Sequence, residues 1–325
     1  MTLLKPKFWD SNEKNLYKLL LLPFSHLFNL IVMIKKFFSK TKKFSIKTIC
    51  VGNIYIGGTG KTPLCIDLLK EFKEELKNNA LEAVIIKKDY KDQIDEIDLI
   101  KRSTSSIIVE KNRVSALNRA EREGYKLAII DDGLQDYSFF KNVKIVCFND
   151  KLIGNGSTLP AGPLRENISS IKDYDIVIIN TSEINSNTDF EKNLKFINPE
   201  IDIFYSFYKP DKKKIIDFEG KRISAFAGIG NPENFFKMLE RNHLKVEKKS
   251  IFPDHFNYNS DQLQNMIKSA QSKDQKLLTT EKDYSRLQNL FPGSLILKEI
   301  NFIPIELEIK DKKKFFKKIK EKIYL

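Results

Sequence analysis

The sequence feature that most constrains this chain is a glycine-rich segment, CVGNIYIGGTGKTP, at residues 50–63. An apolar run rich in β-branched residues leads into it, and a helical pattern over residues 62–77 follows it. Glycines let successive backbone N–H groups turn towards one anion, and the N-terminus of the following helix adds its dipole. A strand, a glycine loop and a helix in this order predict an α/β domain that binds the phosphates of a nucleoside triphosphate.

The side chains of this loop divide between phosphate and metal. Lys61 is expected to reach the outer phosphates, and the hydroxyl of Thr62 is a ligand suited to Mg²⁺. Tyr55 stands where the strict pattern has glycine, so the doublet Gly57-Gly58 supplies the flexibility. The residues predicted to bind the nucleotide are Tyr55, Ile56, Gly57, Gly58, Thr59, Gly60, Lys61 and Thr62.

A pair of carboxylates, Asp131 and Asp132, directly follows the apolar run at residues 127–130. Open α/β sheets bind their ligands at the carboxyl ends of the strands. A buried strand that ends in two carboxylates has the form of a Walker B site, so both are predicted to join Thr62 in holding the Mg²⁺ that bridges the β- and γ-phosphates. A surface turn is the alternative.

Two arginines lie in polar contexts where a planar guanidinium, unlike a lysine, grips phosphate or carboxylate in two places. They are Arg113 and Arg165. The proline-restricted loop LPAGPLRE presents Arg165 beside Glu166, which suits an anionic substrate or a transition-state oxygen. The alternative is a turn in which these two side chains pair with each other.

Composition limits the class of protein. With 325 residues, 41% hydrophobic and 30% charged, the chain is long enough for two globular domains. The net charge of +13 comes mostly from lysines spread along the chain, with no clustered basic face, so specific nucleic-acid binding is disfavoured. Three cysteines, far apart and in or beside apolar runs, fit neither a disulfide framework nor a metal site and favour a reducing cytosolic setting.

The N-terminal segment is apolar over residues 16–34, and a basic, aromatic flank follows at residues 35–43. Such a pattern suits an anionic lipid surface. We therefore expect residues 1–45 to form a pair of amphipathic helices that lies on or dips into the cytoplasmic leaflet. A transmembrane anchor and a buried core helix are alternatives; a cleaved signal peptide is disfavoured because no small-residue cleavage site follows the apolar run.

Short runs rich in Ile and Val recur between helical patterns and predict a mostly parallel sheet. The first series of predicted strands is at residues 83–86, 127–130, 143–148 and 175–179, and the second is at residues 223–227, 276–280 and 295–297. Helical patterns cover residues 232–242, 260–272 and 310–322. The fold class is therefore α/β, with a P-loop NTPase-like core at residues 46–210 and a smaller α/β domain at residues 211–325 that closes over the cleft.

Seven blocks, GNIYIGGTGKTP, KNRVSA, DDGLQD, LPAGPLRE, FAGIGNPENFF, FPDHF and TTEKD, resemble in order and spacing the tetraacyldisaccharide 4'-kinases, the lipid A 4'-kinases of Gram-negative bacteria. The resemblance covers nearly the whole chain. It implies that the γ-phosphoryl group of ATP, with Mg²⁺, passes to the 4'-hydroxyl of an acylated glucosamine disaccharide 1-phosphate, giving lipid IVA. It also implies a peripheral enzyme on the cytoplasmic face of the inner membrane.

The same resemblance implies roles for particular residues. In that family an Asp of a GDEP block, paired with the His of the FPDH block, activates the hydroxyl; these positions correspond to Asp95 and His255, with Glu96 orienting the Asp. Lys61 completes the predicted catalytic set by stabilising the phosphates. The predicted substrate-binding residues are Glu96, Arg113, Gln135, Arg165 and Glu166. From the residues alone, the segment at 95–96 resembles a solvated loop, and His255 a hydrogen-bonded loop histidine.

The chain departs from the family pattern in three blocks. The usual SRGYGR after the second strand reads KKDYKD, the GDEP block reads IDEI, and DDGLQH ends in Asp136. Because Asp95 and His255 are far apart in sequence, we expect them to come from separate domains that close over the substrate. The alternative function is a membrane-associated P-loop ATPase that acts as a switch or loading factor; a GTPase is disfavoured because no NKxD signature follows the strands.

Overall fold

The computed structural model describes residues 5–11, 15–76, 83–90, 94–181, 188–254 and 256–324. Its contacts form two compact units. The larger unit comprises Lys5–Asp89, Thr104–Phe207 and Ile309–Leu325, and the smaller unit comprises chiefly Tyr90–Ser103 and Tyr208–Glu308.

Helices and strands alternate along most of the chain. The helices are α1 (Leu16–Phe37), α2 (Lys61–Leu76), α3 (Ile94–Ser103), α4 (Arg113–Arg122), α5 (Thr188–Ile197), α6 (Lys212–Phe218), α7 (Pro232–Arg241), α8 (Ser260–Gln271), α9 (Glu281–Leu290) and α10 (Lys312–Tyr324). The strands are β1 (Lys47–Gly52), β2 (Ala83–Lys88), β3 (Ile107–Glu110), β4 (Leu127–Asp131), β5 (Val143–Asn149), β6 (Ile176–Asn180), β7 (Asp202–Pro210), β8 (Arg222–Ala227), β9 (Lys245–Ile251), β10 (Gln275–Thr280), β11 (Ile300–Ile303) and β12 (Ile305–Ile309).

The eight-stranded sheet has the order β12-β7-β6-β5-β1-β4-β2-β3, and all neighbouring pairs from β7 to β3 are parallel. Strands β1 and β4 are adjacent, in a register that pairs Val51 with Asp131. Every residue of β4 is buried, as a strand covered on both faces requires. This order puts the glycine loop after β1 and the carboxylates after β4 at the same edge of the sheet, as the sequence predicts.

Helix α1 is one continuous helix that runs through Pro23, preceded by a short 3₁₀ turn at Lys7–Asp10, rather than the predicted pair of helices. Among the described residues it is the one helix long and apolar enough to cross a membrane, although soluble core helices and signal sequences share these properties. Ser25 is its one buried residue, so it is not a core helix. Its large apolar side chains are instead exposed, among them Leu20, Phe24, Leu27, Ile31 and Met33.

The smaller unit has a parallel sheet of order β11-β10-β8-β9. Its helices α7 and α8 match the predicted positions closely. Residues 295–297, predicted as a strand, instead begin a 3₁₀ helix at Leu295–Glu299, and the strand is the following segment β11. Leu295 is exposed, whereas Ile296 and Leu297 are partly buried and pack against a core cluster from the 3₁₀ helix, so this apolar run does not mark a buried strand.

The division of the chain differs from the predicted boundaries at 45 and 210 in three places. Residues 5–45 belong to the larger unit, α3 belongs to the smaller unit, and α10 belongs to the larger unit. Asp95 lies in α3, and the chain on both sides of position 255 belongs to the same unit. The expectation that Asp95 and His255 come from separate domains therefore does not match this division, whereas His255 itself lies outside the described residues.

Candidate active site

The glycine loop between β1 and α2 is shaped by its glycines and by two asparagine side chains. Gly57 and Gly60 have φ angles of 135° and 84°, a region that other residues rarely adopt. The side-chain amide of Asn53 donates to the carbonyls of Tyr55 (2.6 Å) and Gly57 (3.2 Å). A neighbouring amide, that of Asn149, donates to the carbonyl of Gly58 at 2.9 Å. The loop conformation is therefore held in place by its own surroundings.

Tyr55, the departure from the strict glycine pattern, has a buried side chain that faces the N-terminal segment. Its hydroxyl donates to Asp10 Oδ1 at 2.7 Å and also contacts the ammonium of Lys5. Its backbone pairs with Leu164 in an isolated antiparallel bridge. Any part that Tyr55 plays in phosphate binding therefore belongs to its backbone, because the side chain is occupied elsewhere.

The predicted metal site is assembled on the carboxylate of Asp131. The hydroxyl of Thr62 donates to Asp131 Oδ2 at 2.8 Å. The ammonium of Lys87 binds the same oxygen at 2.8 Å, and both charged side chains are fully buried. The other oxygen, Oδ1, is buried without a hydrogen-bond partner. Sequence reasoning missed Lys87, which directly follows the apolar run of β2 and is still buried.

Two cationic side chains of the site lie close to the carboxylate of Asp132. It lies in the left-handed region, with a φ of 56°, and its carboxylate is 3.7 Å from the Lys61 ammonium and 3.0 Å from Arg165 Nη1. Burial by itself would raise the pKa of Asp132, but the nearby charges of Lys61, Arg165 and Lys87 outweigh it and lower the pKa to about 2. The carboxylate is therefore ionised at neutral pH.

Arg113 stabilises the turn that contains these carboxylates. Its Nη2 donates to the backbone carbonyl of Asp132 at 2.6 Å, and its Nη1 lies 3.2 Å from Asp136 Oδ2. A Cβ at Gly133 would lie 3.3 Å from Arg113 Nε and closer still to Ile130, so a larger residue there would displace these side chains. Arg113, predicted to contact substrate, is engaged here by the turn itself.

The LPAGPLRE loop lies along the glycine loop. The N–H of Arg165 donates to the carbonyl of Ile54 at 2.6 Å, and the N–H of Ile56 donates to that of Pro163 at 2.9 Å. Arg165 does not pair with its neighbour; Glu166 is instead buried and accepts a hydrogen bond from Tyr174 at 3.2 Å. The alternative of a self-paired turn is therefore excluded.

Gln135 links the turn after the two carboxylates to the segment that leads into the glycine loop, because its amide donates to the backbone carbonyl of Asn53 at 3.1 Å. The residues predicted from the glycine loop, the two carboxylates and LPAGPLRE thus all come together in the larger unit. Among the residues that the structure describes, no group of three or more His, Cys, Asp or Glu could hold a metal alone. One hydroxyl and one orphaned buried carboxylate oxygen instead fit a Mg²⁺ whose remaining ligands are nucleotide phosphates and water.

The remaining predicted residues belong to the smaller unit. Glu96, on α3, lies 3.3 Å from the ammonium of Lys282, which is also 3.6 Å from Asp254 Oδ1. Lys282 therefore joins the two segments that carry Asp95 and, next to Asp254 in the chain, His255. Of Asp95 the structure gives the helical backbone alone.

A buried network lies beside Lys282 in the same unit. The fully buried carboxylate of Asp283 accepts from the N–H of Gly228 at 3.0 Å, from the hydroxyl of Tyr258 at 3.1 Å and from Arg286 at 2.9 Å. These bonds tie the FAGIGNP and FPDHFNY blocks to the start of α9. The sequence blocks shared with the kinase family are therefore packed together here, although their spacing in the chain is wide.

Comparison with known proteins gives one consistent family. A family model described as tetraacyldisaccharide-1-P 4'-kinase matches residues 17–324. A tetraacyldisaccharide 4'-kinase of Pelagibacter ubique (strain HTCC1062) is 42% identical over 323 residues, which cover 98% of either chain. One of Haemophilus influenzae (strain 86-028NP) is 32% identical over 330 residues, with 93% of this chain and 91% of that protein covered.

A solved structure shows the same fold. It is the crystal structure of LpxK from Aquifex aeolicus in complex with ATP, with a TM-score of 0.66 and 22% identity over 94% of this chain and 99% of that chain. The likeness concerns the fold and extends over nearly the whole chain.

Proposed function

This chain belongs to the tetraacyldisaccharide-1-phosphate 4'-kinase family, and from this premise we propose how its residues perform the reaction. It is an ATP-dependent kinase of lipid A biosynthesis, which transfers the γ-phosphoryl group of ATP to the 4'-hydroxyl of the tetraacyldisaccharide 1-phosphate. The observation that carries this function is the family match over residues 17–324, together with the glycine loop built beside two carboxylates.

The larger unit holds the nucleotide. The N–H groups of the glycine loop and of the start of α2 bind the β- and γ-phosphates. Lys61 and Arg165, whose side chains contact Asp132 in the structure, bind the triphosphate when ATP enters the site. Mg²⁺ bound with ATP would neutralise charge on these phosphates, and Thr62, Asp131 and Asp132 are the residues that would hold it. Phosphoryl transfer depends mainly on such positioning and charge stabilisation, which this cluster of preformed charges supplies.

We assign the role of base to the carboxylate of Asp95. Asp95, paired with His255, accepts the proton of the 4'-hydroxyl as the bond to phosphorus forms. Glu96 orients this pair rather than reacting, because its carboxylate is already held by Lys282. Glu166, the other residue of the LPAGPLRE loop predicted to bind substrate, follows Arg165 in the loop that lies along the glycine loop.

The protein acts at the cytoplasmic face of the inner membrane as a peripheral enzyme, where its acylated substrate is embedded. The support for this is α1, whose apolar side chains are exposed along its length while Lys35 and Lys36 lie in its last turn. An apolar helix face with a basic end partitions into an anionic interface.

The test is a transfer assay with the purified full chain, γ-labelled ATP and the disaccharide 1-phosphate in mixed micelles. We expect label on the lipid at the 4'-position, and Lys61→Met should remove it because the γ-phosphate loses its ammonium. Release of inorganic phosphate at an equal rate with and without lipid, and no labelled lipid, would instead identify an ATPase switch.

A further inference from the structure

Lys87 is a buried cation that none of the roles above requires. Its ammonium lies 2.8 Å from Asp131 Oδ2, and the two side chains are 1% and 0% exposed. Strand β2 pairs with β4 in a register that matches Ile86 with Ile130, so the next residues of both strands, Lys87 and Asp131, lie side by side. The ion pair is therefore built into the sheet and is not a chance contact of flexible side chains.

This pair fixes how Asp131 meets the metal. Oδ2 receives two donors, from Lys87 and from Thr62, whereas Oδ1 is buried with no hydrogen-bond partner. Since Oδ2 is saturated, Oδ1 is the oxygen left for a metal ion or for a water bound to it. Lys87 thus leaves Oδ1 as the oxygen that can bind the metal, and it holds the carboxylate of Asp131 in one orientation.

The same lysine places a fixed positive charge beside the metal position. Charges in a buried site are screened little by salt, and two cations a few ångströms apart repel strongly where the effective dielectric constant is low. A buried carboxylate without a partner is in turn costly, so the pair stabilises the protein before nucleotide binds. Lys87 belongs to the KKDYKD block, where this chain departs from the family pattern.

We propose that Lys87 is a positioning residue that sets the magnesium requirement of this site: its charge weakens Mg²⁺ binding, and its contact orients Asp131. The inference rests on the proposed function, because it takes Asp131 as a residue of the metal site. According to this proposal, the chain needs a high Mg²⁺ concentration to bind nucleotide because of one residue of β2, Lys87.

The test measures binding of a non-hydrolysable ATP analogue, adenylyl imidodiphosphate, to the full chain by calorimetry over a series of Mg²⁺ concentrations. Lys87→Gln keeps an N–H donor for Asp131 but removes the charge. We expect half-maximal analogue binding at about tenfold lower Mg²⁺ than in the unaltered protein. The matched control is Lys88→Gln, which removes the same charge from the next position of β2 on the opposite face and should leave the requirement unchanged.

Two more variants separate charge from folding. Lys87→Arg retains the charge and should retain the high Mg²⁺ requirement, whereas Lys87→Ser removes the charge and should lower it as Lys87→Gln does. A folded, uncharged variant with an unchanged or higher Mg²⁺ requirement overturns the proposal. So does an uncharged variant that stays unfolded at saturating Mg²⁺ and analogue, because Lys87 then serves folding alone.

The analogue experiment is independent of lipid transfer. If the unaltered protein phosphorylates the disaccharide but the Mg²⁺ requirement does not move in Lys87→Gln, the inference fails and the proposed function stands. If the requirement shifts but no lipid is labelled, the function fails and the role of Lys87 in the metal site stands.

Discussion

At the scale of single residues, Asp132 joins the cationic side chains of the nucleotide site. Its carboxylate contacts both Lys61 and Arg165, and these charges hold its pKa at about 2 against a usual value of 3.8. The pKa is lowered in the folded state, so this group stabilises the fold above pH 4 and loses that contribution as pH falls towards 2.

Asp132→Asn tests this linkage. Between pH 6 and pH 3 we expect the difference in free energy of unfolding between the unaltered protein and the variant to shrink by about 1 kcal/mol, since protonation removes the same interaction. Urea unfolding followed by fluorescence of Trp9, the one tryptophan of the chain and part of the larger unit, measures it. A difference that stays constant over this range would show that Asp132 is not held ionised by its neighbours.

At the scale of elements, α1 is tied to the LPAGPLRE loop through its buried serine. Ser25 Oγ donates to the carbonyl of Thr158 at 2.8 Å and accepts from the N–H of Ala161 at 3.0 Å. The indole N–H of Trp9 also donates to the carbonyl of Pro160 at 3.1 Å. Since this loop carries Arg165, the N-terminal segment and the nucleotide site share one hydrogen-bonded scaffold.

Ser25→Ala should loosen that scaffold. The change leaves a buried N–H without an acceptor, at a cost of about 1–3 kcal/mol, so the loop amides should exchange with solvent faster. Hydrogen exchange of the peptide that contains Ala161 is the measurement. His26→Ala, at the next and exposed position of α1, is the control and should leave that exchange unchanged.

A second prediction concerns the exposed face of α1. The double change Leu27→Asp with Ile31→Asp adds two charges to side chains that are 55% and 56% exposed, so it should cost the fold little. Sedimentation with vesicles that contain anionic lipid should fall about tenfold or more, because charge in the interface opposes insertion. The control Leu295→Asp, on the smaller unit at 72% exposure, should sediment as before; equal loss from both would refute a docking role for α1.

At the scale of the whole molecule, the predicted chemistry is divided between the units. The glycine loop and the carboxylates lie in the larger unit, and Asp95 and the flanks of His255 lie in the smaller one. Asp95→Ala and His255→Ala should each lower kcat by roughly 10²–10⁴. Affinity for ATP should not change, and Asp261→Asn, an exposed substitution on α8, should alter neither value; turnover near that of the unaltered protein would remove the residue from the mechanism.

The order of residues along short segments predicted many of the strands and helices, because runs of apolar residues indicate which segments are buried. Strands β1, β4 and β5 were found from their Ile- and Val-rich runs, which are almost entirely buried. Strand β9 was missed, because KVEKKSI is mostly exposed and shows no apolar alternation. Lys87 was missed for a different reason, since its partner is 44 positions away along the chain and meets it through the order of strands alone.

The packing of α10 on α2 makes the larger unit depend on a distant part of the sequence. Phe316 of α10 lies against Phe72 of α2, and Lys312 binds Asp67 at 2.9 Å. The helix that follows the glycine loop therefore gains its cover from a segment that lies 245 positions further along the chain. Until that segment has been synthesised, this apolar surface is open to chaperones and to aggregation, and a stop codon before residue 312 would leave it open permanently.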